Sequence, residues 1–106
     1  MKVYNMIVNQ RAVPNQFIIH DNEVEYFQSY RSIIAKKVYT VNDNLHKIFL
    51  DEYYWDYSKT TGKYRNIFLG DSGIAETRKK IKDGTYILTD LNNGESYEWT
   101  RLEWTT

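Results

Sequence analysis

Cysteine is absent from the chain, which removes a disulfide framework, a thiolate metal site and a cysteine nucleophile, and fits a reducing compartment. Net charge is absent as well. Fourteen Lys and Arg balance fourteen Asp and Glu, so no long-range field draws the chain towards nucleic acid or an anionic membrane. Proline occurs once and glycine five times in 106 residues, too few for a low-complexity linker. No apolar run approaches the ~18 residues that a membrane helix needs. The opening MKVYNMIVNQ lacks the apolar stretch of a signal peptide. These absences lead us to expect a soluble, cytoplasmic protein with no membrane partner.

The familiar signatures of chemistry are missing too. His20 and His46 stand far apart, with no spacing that links them as metal ligands. Paired carboxylates can serve acid–base work or hold a hard cation. Asp51 and Glu52 are consecutive, however, and in an extended chain they point to opposite sides. Glu23 and Glu25 share a strand face, the pattern of a solvated edge, and Asp83 and Asp90 belong to no calcium loop. The serines lack a G-x-S-x-G context. KTTGK, residues 59–63, has no P-loop glycine before it and reads as a polar turn. The expectation is a protein that is not an enzyme, with no catalytic residues, metal or cofactor.

What is present is aromatic. Aromatics make up 16% of the chain and ten residues are Tyr, a bias towards strands. KVYNMIV (2–8), QFIIH (16–20), EVEYFQSY (23–30), SIIAKKVYTV (32–41), KIFL (47–50) and TYILTDL (85–91) read as strands. Pro14 breaks the pattern before the second, because proline cannot occupy a central strand. DSGIAETRKKIKDG reads as the only helix, over about 72–83, with Asp71 or Ser72 as N-cap and Gly84 as a left-handed terminator. The length suits one domain, residues 1–106. The fold class is α+β: a twisted antiparallel sheet of about five to seven strands with one helix. After the turn signal NNG, the segment over 92–106 reads as a C-terminal strand extension. Its free edge would suit a homodimer built by sheet extension.

The densest signal is DEYYWDYSKTTGKYRNIFLG, residues 51–70. From Lys59 to Lys82, Lys59, Lys63, Arg65, Arg78, Lys79, Lys80 and Lys82 stand against only Asp71 and Glu76. Tyr53, Tyr54, Trp55, Tyr57 and Tyr64 are interleaved with them. Consecutive Tyr53, Tyr54 and Trp55 cannot all face one side of a strand, so some rings are expected to meet solvent. Exposed tyrosines favour interfaces. The expected partner-binding surface comprises Tyr53, Tyr54, Tyr57, Lys59, Lys63, Tyr64 and Arg65. Its partner is read as a protein, because the total charge is neutral. The alternative is nucleic acid, with bases stacked on the same rings and phosphates on the cations of residues 53–82.

YFQSYRSIIAK, the 51–70 stretch and KKIKDGTYILTDLN together resemble a group of small bacteriophage proteins. They share a phrase close to W-x-Y-S-x-T-T-x-K-Y-x-x-x-F-L, here Trp55 to Leu69. The likeness covers roughly residues 2–92 and leaves out GESYEWTRLEWTT. It implies a phage or prophage origin and a cytoplasmic setting in the host cell. The function expected on that basis is a non-catalytic accessory protein that binds a host or phage protein. One concrete version is an inhibitor of a host defence, such as an anti-CRISPR.

Overall fold

Five strands run as an antiparallel meander: β1 (Lys2–Val8), β2 (Arg11–Asp21), β3 (Val24–Ser29), β4 (Ser32–Tyr39) and β5 (Leu45–Asp51). The chain then crosses over through α1 (Lys59–Leu69) and α2 (Ile74–Lys82) and returns as β6 (Tyr86–Thr89), parallel to β5. The structure is a computed structural model that describes residues 1–40, 42 and 44–93. The α+β class expected from the sequence holds, with two changes. The sheet is mixed, because a connection long enough to hold two helices lets β6 pair parallel. Among the described residues there are also two helices where one was expected. The proposed strand extension over 92–106 lies almost wholly outside the described residues.

Tight turns set the meander's register. Asn9 and Gln10 both have positive φ, 51° and 66°, as a two-residue hairpin turn matched to strand twist requires. Asparagine tolerates that backbone and glutamine does not. Gln10→Gly should therefore stabilise the fold by about 0.5–1 kcal/mol, net of the entropy that glycine adds to the unfolded chain, and should raise Tm by a few degrees.

Pro14 lies within β2, contrary to the boundary drawn from the sequence. The physical reason for that boundary still applies. β1 pairs Asn5 with Phe17 and Ile7 with Ala12, so residues 13–16 bulge out opposite Met6 alone, and pairing with β3 begins only at Gln16. Pro14 therefore sits where no ladder donor is needed. Asn15, with φ of 64°, completes the bulge, and Asn5 donates to the Val13 carbonyl at 3.0 Å.

Each face of the sheet carries an apolar cluster. On one, Met6, Ile18, Phe27, Ile34, Ala35, Ile48, Leu50 and Tyr86 meet Phe68, with Trp55, Tyr64, Leu69 and Ile81 packed alongside. Phe27 and Phe68 stack at 5.8 Å. On the other face Ile19, Tyr26 and Ile33 are closed by Leu91. Asn92 fixes that closure, accepting from the Ile33 amide at 2.8 Å and donating to its carbonyl at 3.0 Å.

The α2 helix begins at Ile74, two residues later than expected, and ends before Gly84, whose φ of 87° agrees with the terminator role. Neither expected N-cap occupies that position. Ser72 donates its backbone and hydroxyl hydrogens to Glu76, which Lys80 and Ser72 together hold down at about 2. The Asp71 carboxylate is sealed inside, where it accepts from Thr77 at 2.7 Å, Lys80 at 2.8 Å and Tyr86 at 2.7 Å. Burial and the bond to Asp71 push the Tyr86 phenol up to about 12. This network ties the helical crossover to β6.

Candidate binding face

The face is built at the end of β5. Asp51 is fully buried, and its carboxylate accepts three backbone N–H groups: Tyr53 at 3.1 Å, Tyr54 at 2.9 Å and Leu91 at 2.8 Å. One side chain thus stops the strand, folds the chain into a turn, and pins the segment that follows β6. Residues 52–57 are a turn rather than a strand. Tyr53 is 71% exposed, and Tyr54 and Tyr57 are exposed beside it. Tyr54 and Tyr57 meet edge-to-face, with centroids 5.7 Å apart and planes at 82°.

From this turn α1 starts. Ser58 is its N-cap, with its hydroxyl accepting from the Thr61 amide at 3.1 Å. Gly70, with φ of 75°, ends it. KTTGK therefore forms the first turn of a helix, and the polar-turn reading is corrected. The inward stripe is Thr61, Tyr64, Arg65 and Phe68, at helical spacing. Thr61 is buried and lies 2.8 Å from Ser29 Oγ, which locks the first turn of α1 onto the end of β3. Lys59, Lys63 and Ile67 form the exposed stripe.

Of the seven residues expected on the surface, Tyr53, Tyr54, Tyr57, Lys59 and Lys63 are exposed together on this turn and the start of α1. Tyr64 is only half-buried and carries the Lys63 ammonium 5.2 Å from its ring centre. Arg65 is a correction. It is 1% exposed and cannot serve as a surface contact. Four residues after Thr61, it falls on the inner face of the helix. Its guanidinium donates to the Trp55 carbonyl at 2.7 Å and to Asn66 Oδ1 at 3.0 Å, stands 3.5 Å from Asp56, and lies over the Trp55 ring at 5.3 Å. Burial lowers its proton affinity, and Asp56 offsets part of that. Its role is to bolt the tyrosine turn to α1.

Between turn and helix lies an open groove of about 480 Å³, with Asp56, Tyr57, Lys59, Gly62, Lys63 and Ile74 among its lining. The buried Arg65 guanidinium lies beneath it, packed under Gly62, where an added Cβ would stand 3.6 Å from Arg65 Nη1. Asp56 is engaged by Arg65 and, at 3.9 Å, by Arg78. Among the described residues, neither Lys59 nor Lys63 has a carboxylate partner. The expected basic cluster otherwise disperses: Lys80 is bound to Asp71 and Glu76.

A second constellation was missed from the sequence. His20 Nε2 lies 3.0 Å from Glu25 Oε2 and 3.0 Å from the Tyr4 hydroxyl, and Tyr39 donates to Glu25 at 3.3 Å. The signal was present: a two-residue turn at Asn22–Glu23 places residue 20 opposite residue 25. Glu25 is thus paired rather than freely solvated. His46 lies in β5 rather than in a loop, and it is exposed. Among the described residues, no group of three His, Asp or Glu side chains is placed to hold a metal, and no helix is long and apolar enough to cross a membrane.

No curated protein and no solved structure matches the chain. Residues 1–84, which span β1 to α2 and so contain the tyrosine turn and the groove, match a family of unknown function (DUF8033), and the chain belongs to that family.

Proposed function

We propose that this is a non-catalytic binding protein that docks a partner protein on the face formed by Tyr53, Tyr54, Tyr57, Lys59 and Lys63. The observation that carries the reading is the division of labour in one short segment. Asp51 and Arg65 are buried and hold the turn from beneath. The tyrosines they support face outward and contribute nothing to the two core clusters. A rigid turn that presents amphipathic rings beside a groove is the physical form of a hot spot, because little side-chain entropy is lost on contact. The likeness to small bacteriophage proteins supports a host or phage protein as the partner. Inhibition of a host defence, as by an anti-CRISPR, is the specific role we put forward.

Nucleic acid is less favoured by the ring geometry. Base stacking needs open ring faces. Tyr54 and Tyr57 engage each other edge-to-face, and Lys63 covers Tyr64.

Affinity purification from infected cells, with and without nuclease, tests the reading. A protein partner should survive nuclease and moderate salt, and should be lost from the Tyr53→Ala/Tyr57→Ala variant. Each true anchor is worth about 2 kcal/mol or more, or roughly 30-fold in affinity. Co-purifying nucleic acid whose binding weakens steeply with salt would replace this reading with the other.

A further inference from the structure

Resting on the binding face above, we propose that the groove takes an acidic segment of the partner protein, with two carboxylates separated by one residue. The chain as a whole is neutral, yet the charge at this face is lopsided. Lys59 and Lys63 are exposed without carboxylate partners among the described residues. The buried Arg65 guanidinium lies beneath the groove and the exposed Arg78 stands beside Asp56, so both add positive potential there. Asp56 alone opposes them in the lining, and both of those guanidinium groups already draw on it. The first turn of α1 contains no acidic residue, so the positive end of the helix is not neutralised from within the helix.

The spacing follows from the helix. Residues four apart rise by about 6 Å, and Lys59 and Lys63 sit at that interval on its outer side. An extended peptide carries same-side residues about 7 Å apart, at i and i+2. An acidic-x-acidic segment therefore matches the two ammonium groups, and an apolar or aromatic neighbour would meet Tyr57 and Ile74 at the groove wall. Phosphate chains fit less well, because two cations without carboxylate partners among the described residues, flanked by Asp56, neutralise few phosphates.

Selection of a displayed random 12-residue peptide library on the immobilised full chain tests this. The enriched peptides should carry Asp or Glu at positions i and i+2 beside an apolar residue. A synthetic peptide of that sequence should bind the K59E/K63E variant at least 10-fold more weakly than the unaltered chain, with circular dichroism unchanged. A selection that enriches no acidic pair overturns the proposal. So does equal affinity for the charge-reversed variant, or tighter binding of a 20-nucleotide oligo-dT than of the selected peptide. Peptides lost from Tyr53→Ala/Tyr57→Ala but retained by K59E/K63E overturn the acidic segment and leave the binding face standing. Peptides held equally by both variants overturn both.

Discussion

Replacing Asp51 with alanine is expected to lower the unfolding free energy by about 3–5 kcal/mol, the largest single effect we anticipate. The side chain is fully buried and serves three backbone donors, on Tyr53, Tyr54 and Leu91. Alanine leaves all three N–H groups without an acceptor, and each buried orphan costs about 1–3 kcal/mol. Some of that is recovered when the turn frays and water reaches it, so the sum falls short of three full penalties. Asparagine should recover only part of the loss. One of its two positions becomes an NH2 group that faces a donor where an acceptor is needed. Urea unfolding of the two variants, compared with the unaltered chain, reads both values. Because Leu91 closes the second face of the sheet, the alanine variant should also loosen the region around Ile33, on the far side from the tyrosines.

Arg65→Met is expected to cost about 3 kcal/mol and to dismantle the binding face along with part of the core. Methionine fills similar volume but offers no donor. The Trp55 carbonyl and Asn66 Oδ1 lose the bonds that Arg65 supplies, and the ring of Trp55 loses its cation. Arg65→Lys should rescue little. A single ammonium on a flexible stem cannot span two acceptors on different elements while lying flat against an indole. Urea unfolding gives the stability of both variants. Binding of the partner should fall with the fold in each, because the turn that carries Tyr53, Tyr54 and Tyr57 is held to α1 through this guanidinium.

The strands were legible because their evidence is local. Alternation in Val24–Ser29 sends Tyr26 and Gln28 one way and Phe27 and Ser29 the other, and period-two patterning reports that directly. The first helix was hidden for a physical reason. Its inner stripe, Thr61, Tyr64, Arg65 and Phe68, has helical spacing, but half of it is polar. The burial of Thr61 depends on Ser29, 32 residues away, and that of Arg65 on a backbone carbonyl, at Trp55, which side-chain periodicity does not report. Only the caps, Ser58 and Gly70, marked the helix in the sequence, and the glycine at position 62 argued against it. Parallel pairing of β6 was likewise beyond reach, since it follows from a crossover whose helical content was half unseen. At the site, exposure of some rings was anticipated, but from the alternation of a strand; Tyr53 and Tyr54 are exposed because Asp51 folds residues 52–57 into a turn. The same reading misplaced Arg65, because charge in a sequence predicts solvent unless a partner is known, and the partners of Arg65 are mostly ten residues away or on another turn.

The central claim is that Tyr53 and Tyr57 serve contact rather than folding, while Asp51 and Arg65 beneath them serve folding. The unfolding free energy of the Tyr53→Ala/Tyr57→Ala variant tests this most directly. We predict a loss of no more than about 1.5 kcal/mol, the worth of the exposed Tyr54–Tyr57 ring pair that the variant removes. A loss of several kcal/mol, comparable to that of Asp51→Ala, would contradict the account and return these rings to the core.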